Sequence, residues 1–504
     1  MSNQLQSLKN RKRVATVFVL VALTGACGQE TEGIIRFGLA APAVTLDPRY
    51  ATDATSYRIT RLIYQTLVDF DQTHRVIPAL AKWEVITPLH YRFHLRDAQR
   101  FHDGSLLTSN DVVATYKSVL DPKTASPHRG SLSNVESIGA HGPLIVDFHL
   151  AQADPMFPGL LVIGIMPDGL VDESHSSIKR PIGSGPFAVE GALKEARLRL
   201  RRVSDGQLVD FVTVRDATVR ALKILHGEID LTQGSMTPEL VDWLSQDGDI
   251  MADHRPGTTF TYLGFNLNDS NVSDLRVRQA IAHAIDRQSL IKYMFGDRAR
   301  LAQGIFTPNH WAGNPQLEAI EFNPGRAREL LTAAGFSDAK PLRLKYKTSS
   351  DPFRLRIATA IQDQLAGVGV ELTILSYDWG TFYGDVKAGR FQMYSLSWVG
   401  LKQPDIFRYA FHSSSVPPQG ANRGRYRAGS VDQMIELADA TNDLEARARL
   451  YRKIQKQLLI DLPYIPLWYE DTTLIIRDSI IGYETGRDGY YDRLVLARRL
   501  GVNE

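Results

Sequence analysis

One cysteine in 504 residues rules out an internal disulfide framework. A membrane span is missing as well, because the only long apolar run, residues 14–26 (VATVFVLVALTGA), falls short of the roughly 20 residues that cross a bilayer. Charge of one sign is also lacking: 58 Lys and Arg oppose 56 Asp and Glu. Lys9, Arg11, Lys12 and Arg13 stand in the first 26 residues without any acid, so the remainder carries 54 bases against 56 acids. No nucleic-acid footprint is expected from such a balance. Low-complexity runs and short-period repeats are absent too. What is present, 43% hydrophobic and 23% charged residues, describes a globular chain with material for one large core or for several.

The first 26 residues read as a targeting segment, basic and then apolar, with small residues before Cys27. An uncleaved anchor is the plainer reading. The sharper one is a lipoprotein signal, since Thr24-Gly25-Ala26-Cys27 resembles the bacterial lipobox, whose thiol is lipidated and becomes the mature N-terminus. Leucine usually stands where Thr24 is. Cutting without lipid would release a free periplasmic protein, so the body is expected in the periplasm, anchored to the membrane through Cys27 or free.

From about Gly33 onward the chain alternates strand and helix patterns, which predicts a mixed α/β body. Tyr91, Phe93 and Leu95 alternate with polar neighbours, giving a strand with one buried face. Asp274 is expected to cap one helix carrying Val277, Ala280, Ile281, Ala284 and Ile285 and ending at Phe295-Gly296. A long helix bearing Leu444, Tyr451, Ile454 and Leu458 is stopped by the prolines of Leu462-Pro463-Tyr464-Ile465-Pro466. Beyond it, Leu467-Trp468-Tyr469 and Leu474-Ile475-Ile476 look like chain returning to a sheet. Two glycine-bearing segments, Arg180 to Phe187 and the strand Tyr262-Leu263-Gly264-Phe265-Asn266, read as crossings between domains or as simple loop signals.

No catalytic constellation emerges, no resident cofactor is implied, and no metal set is expected. His90 and His94 lie four apart in strand-like sequence, where they are spread along the chain instead of stacked on successive helical turns. Gly183-Ser184-Gly185 has neither the spacing of a nucleophile elbow nor the lysine of a phosphate loop.

Many short segments, taken in order, resemble one family. They are Thr45-Leu46-Asp47-Pro48, Leu62 to Val68, Ile77-Pro78-Ala79-Leu80-Ala81, Tyr91 to Arg96, Phe101-His102-Asp103-Gly104-Ser105, and Thr108 to Val112. Further along come Gly183-Ser184-Gly185-Pro186-Phe187, Gly264-Phe265-Asn266, Val277-Arg278-Gln279-Ala280, Ala284-Ile285-Asp286-Arg287 and Asn323-Pro324. Leu330-Leu331, Ala334-Gly335-Phe336, Tyr426, Asp432 and Pro463 to Leu467 close the series. Together they resemble the family 5 extracellular solute-binding proteins of ABC importers, which include the oligopeptide- and dipeptide-binding proteins.

The resemblance implies a periplasmic binding protein-like α/β fold, a class II (cluster C) flytrap with two lobes and three domains. Domain I would comprise 31–48, 170–265 and 475–504, domain II 49–169, and domain III 266–474. Ligand would lie between the lobes, and His102-Asp103-Gly104 would be a turn before a helix starting near Thr108. A monomeric receptor is implied that captures a peptide or peptide-like solute and hands it to separate ABC permease and ATPase subunits. Two alternatives stay open on the same fold: a lipoprotein acting as a sensing, interaction or chaperone module, and a receptor for a metal chelate, haem or glutathione.

The expected site is the segment Phe391 to Phe407, with Trp398, Val399, Gly400, Leu401 and Asp405 as its candidate contacts and Trp379 and Tyr377 as cleft aromatics or core residues. In relatives with a Trp-x-Gly-Asp pattern, the acid after glycine pairs with the peptide α-ammonium. Here Leu401 takes that place. Shutting an ammonium in a closed cleft without a counter-ion costs several kcal/mol. Either Asp405 reaches in, another acid substitutes, or the ligand has no free amino terminus. Lys402, beside the glycine, would instead favour an anionic group. Arg354 and Arg356 could clamp a carboxylate, although a solvated helix face suits both.

Overall fold

The computed structural model describes residues 33–501 apart from 72, 173–180, 193, 195, 235 and 487. The leader, Cys27 and Arg180 therefore lie outside the described residues.

Eleven strands make one mixed sheet. Its order is Val370–Tyr377, Leu342–Ser349, Met393–Trp398, Ile250–Phe265, Tyr464–Arg477, Leu231–Gln233, Ile35–Leu39, Leu208–Thr213, Arg197–Arg202, Phe187–Val189, with Ala299–Leu301 paired off this path. Period-2 patterning builds it. Leu342, Leu344, Tyr346 and Thr348 are buried while Arg343, Lys345 and Lys347 alternate with them on the other face.

Two long strands, Ile250–Phe265 and Tyr464–Arg477, run antiparallel and tie the halves of the sheet together. Their pairing shifts register between Arg255 and Thr259. On one side of the shift Leu474–Ile476 also pair with Leu231–Gln233; on the other, Phe260–Phe265 also pair with Met393–Trp398. Pro256, which has no N–H to give, sits in the interruption. The segment around Gly264, read from sequence as a strand crossing between domains, is continuous strand paired on both sides. Its glycine leaves room for the Tyr394 ring, so packing and not bending explains it.

Apolar clusters follow the same division. Residues around Phe37, Phe211 and Tyr491 fill one half of the sheet, and clusters around Trp468 and Tyr262 fill the two faces of the other. A separate four-stranded sheet, in the order Ala81–Thr87, His90–Leu95, Ile145–Leu150, Val135–His141, packs its Tyr91, Phe93 and Phe148 with Tyr116 of the helix Ser109–Leu120. That helix begins after Thr108, whose N–H donates to Asp111 at 2.7 Å.

The two glycine motifs of the first half meet here. His102 N–H donates to the Gly183 carbonyl, and the His102 ring lies 2.9 Å from the Gly185 carbonyl. Gly185 N–H in turn donates to Ile63 at the end of the helix Ala54–Ile63. A Cβ on either glycine would collide with a carbonyl oxygen of Leu62 or Ile63, so only glycine permits this approach.

One expected helix is two. Asp274 caps Leu275–Ala284, but Ile285 is extended and Asp286 accepts from Ser289 N–H, starting Arg287–Phe295. Gly296 closes it in the left-handed region. The helix Leu444–Asp461 buries Tyr451, Ile454 and Leu458 as the pattern requires, while Leu444 is exposed in its first turn. Both returning segments after it belong to the single strand Tyr464–Arg477.

Candidate ligand-binding site

The strand Met393–Trp398 delivers the expected segment to the face where the two halves of the molecule meet. Gly400 has φ +69°, a conformation costly for other residues, and its carbonyl lies 3.4 Å from the hydroxyl of Tyr490, which belongs to the opposite half. Val399 is exposed, and Leu401 packs on the apolar cluster around Tyr262. Lys402 points across the interface. Its ammonium is 3.1 Å from Asp488 and 3.9 Å from Asp69, with the rings of Tyr490 and Phe70 at 4.4 and 5.5 Å. Lys402 is thus committed to carboxylates, which corrects the expectation that it favours an anionic ligand group. His310 lies 3.2 Å from the Lys402 carbonyl and accepts from Ala312 N–H, and its ring faces His74 of the other half at 5.0 Å. Burial, with His74 adding to it, pushes His310 down to about 4.

Trp398 stacks on Tyr262 at 6.4 Å, and the guanidinium of Arg423 lies 4.8 Å over its ring. Arg423 donates to the hydroxyls of Tyr262 and Tyr383 at 3.2 and 3.1 Å. Tyr383 stacks on Trp379 at 5.4 Å, and Trp379 is 49% exposed. A continuous wall therefore runs Trp379, Tyr383, Arg423, Trp398. Tyr377, at the end of its strand under the Lys347 ammonium, packs against the same apolar cluster as Trp398. Arg423 is buried at 6% exposure, and among the described residues no carboxylate pairs with it. The indole N–H of Trp398 is buried and finds no hydrogen-bond partner among the described residues. Sequence reasoning missed Arg423 because its neighbours Asn422 and Gly424 carry only a turn signal.

Asp405 precedes the helix Ile406–Phe411 without capping it. Its carboxyl is pushed up to about 7 by burial, with Asp154 of the other half and Asp439 adding to the rise. Asp154 is itself pushed up to about 6 by burial, opposed by its bond from Met156 N–H and aided by Asp439. Arg354, expected on a solvated face, instead holds Glu470 at 2.9 Å. Burial works against ionisation of Glu470, yet Arg354, Thr261 and Trp468 keep its carboxyl below the usual range. Arg356 pairs with Glu239 at 3.2 Å on an exposed surface. Neither arginine is free to clamp a ligand.

Of the histidines, His90 stacks on His149 at 4.2 Å and reaches Asp147 at 3.2 Å, while His94 meets Glu84 at 3.1 Å. Among the described residues no three His, Cys, Asp or Glu side chains gather as a metal set, and no helix is long and apolar enough to cross a membrane.

A two-lobed α/β body with a walled interface between its halves is the architecture of a binding receptor, and comparison with known proteins supports that class. Residues 75–418 match the family model of bacterial extracellular solute-binding proteins, family 5. The chain belongs to that family, whose members are solute-binding receptors. It is 26% identical to the dipeptide-binding protein of Escherichia coli, over 95% of this chain and 96% of that one. Its fold is similar to an ABC transporter-associated periplasmic binding protein of Helicobacter pylori in complex with the peptide STSA, at a TM-score of 0.83, 26% identity, and 93% and 98% coverage. A nickel-histidine-bound protein of Campylobacter jejuni shares the fold at a TM-score of 0.82, with 23% identity and coverage of 93% and 100%. The two-lobe flytrap expected from sequence is the fold this chain adopts.

Proposed function

We propose that this protein captures a peptide or peptide-like solute between its lobes, unchanged, and delivers it to an ABC permease powered by a separate ATPase. The supporting observation is likeness along nearly the whole chain to a structure that holds a peptide, together with a cleft wall of Trp398, Arg423, Tyr383 and Trp379. Flytraps of this kind need no reaction. Ligand that touches both lobes favours the closed state by its differential affinity, and an extended peptide can pair with main chain at a strand exit such as 398–401.

Arg423 suits the carboxylate of such a ligand, since a buried guanidinium with no acid partner among the described residues has bidentate donors to offer. Leu401 in place of an acid favours ligands without a free amino terminus. Domains I, II and III are read as 31–48 with 170–265 and 475–504, then 49–169, then 266–474. The hinge is placed near Pro256, where the long strands change register, a few residues ahead of the boundary at 265 in that scheme. The protein acts as a monomer in the periplasm, held to the membrane if Cys27 carries lipid, and is not an enzyme.

Native mass spectrometry of protein purified without denaturation tests this reading. A co-purifying peptide-like mass, released intact, is the expected result; a metal chelate, or a chemically altered product after incubation with peptides, contradicts it.

A further inference from the structure

The Lys402 ammonium sits in a nest that its own lobe does not build. Asp69 and Phe70 come from the strand Val68–Phe70, and Asp488 and Tyr490 come from the segment near the C-terminus. The side chain is only 10% exposed, although it crosses from one half of the molecule to the other. The nest is itself ordered. Asp488 accepts from Tyr490 N–H at 3.1 Å, and Arg61 pairs with Asp69 and Asp492 while lying 4.7 Å from the Tyr490 ring. Arg58 lies 5.4 Å from the Tyr491 ring beside them. Asp69 and Asp492 are thus paired with Arg61, and Lys402 completes the pairing at Asp488 and Asp69.

On the other lobe the lysine is aimed by its backbone. Gly400 turns the chain, Leu401 is pinned in apolar packing, and His310 holds the Lys402 carbonyl. Closing the lobes therefore brings a cation of the protein into a site of two carboxylates and two ring faces, a combination that attracts ammonium groups. A second cation brought by a ligand would find these charges already matched and would meet Lys402 as a like charge, which costs affinity.

We propose that Lys402 is the specificity-determining residue at the Gly400 end of the cleft. Its ammonium fills the nest of Asp69, Asp488, Phe70 and Tyr490, so the receptor selects peptide-like ligands that bring no cation to that end and uses its own lysine to help the lobes close. The proposal rests on the peptide-receptor reading for its ligand class, but the latch itself does not.

Two measurements separate them. The first compares binding of a tripeptide pool with its N-acetylated counterpart by calorimetry. Wild type is expected to prefer the acetylated pool, Lys402→Met to shift the ratio at least tenfold toward the free-amino pool, and Lys402→Arg to keep the wild-type preference. An unchanged ratio in Lys402→Met overturns the specificity role. The second uses protein saturated with the solute that co-purifies with it, so that the lobes are closed, and thermal unfolding of Lys402→Met, Asp488→Asn and the double variant. The double variant is expected to fall no further than Lys402→Met alone; strictly additive losses overturn the latch. Binding of neither pool, with non-additive unfolding, supports the latch and removes the peptide reading instead.

Discussion

The Tyr490 hydroxyl lies 3.4 Å from the Gly400 carbonyl, a contact that joins the two lobes at the point where the site segment turns. A Cβ added to Gly400 would stand 2.5 Å from that hydroxyl, on a backbone with φ +69°. Gly400→Ala should therefore combine about 1–2 kcal/mol of backbone strain with a clash present only when the lobes meet. Calorimetry should show affinity reduced about tenfold or more, and Tyr490→Phe in the same background should recover part of it. Wild-type affinity in Gly400→Ala would mean that this contact is not made in the bound protein.

Arg423 offers a separate prediction. Charge-assisted hydrogen bonds contribute about 1.5–3 kcal/mol, so Arg423→Gln should weaken a ligand with a free carboxylate by roughly ten- to hundredfold. Its amidated analogue should bind the variant and the wild type much more nearly alike. Equal losses for both ligands would show that the guanidinium only supports the Trp398 and Tyr383 rings.

Asp405 and Asp154 titrate above ordinary carboxylates, at about 7 and about 6. Folded protein therefore holds their protons more tightly than unfolded chain does. Their contribution is most favourable below about pH 4 and is lost as pH rises through 6 to 7. Asp405→Asn should raise thermal stability at pH 8, by on the order of 2 kcal/mol, and progressively less toward pH 4. His310 works in the opposite sense: burial lowers its folded value to about 4, so its stabilisation is present above about 6.5 and lost as pH falls toward 4. A gain from Asp405→Asn that is the same at pH 5 and pH 8 would place the carboxyl in water.

Much of the fold was legible because its signals are local. The Tyr91, Phe93, Leu95 alternation appears where its periodicity puts it, and the helix after Thr108 starts where the family resemblance implied. Asp286 was misjudged because an apolar stripe running through a second capping residue looks like one helix. The strand around Gly264 was legible, but a strand glycine serves packing as readily as bending, and only the Tyr394 ring against it shows which. Trp398, Gly400 and Trp379 could be singled out along the chain, but their partners could not. Arg423, Tyr490, Asp69 and Asp488 acquire meaning only through contacts between distant segments, and nothing in their immediate neighbours marks them.

Small-angle scattering of ligand-stripped protein, before and after saturation with the solute that co-purifies with it, tests the receptor account most directly. Loaded protein should show a smaller radius of gyration as the two lobes close, with the solute recovered unaltered afterwards. Superimposable curves at full occupancy would contradict a solute held between the lobes.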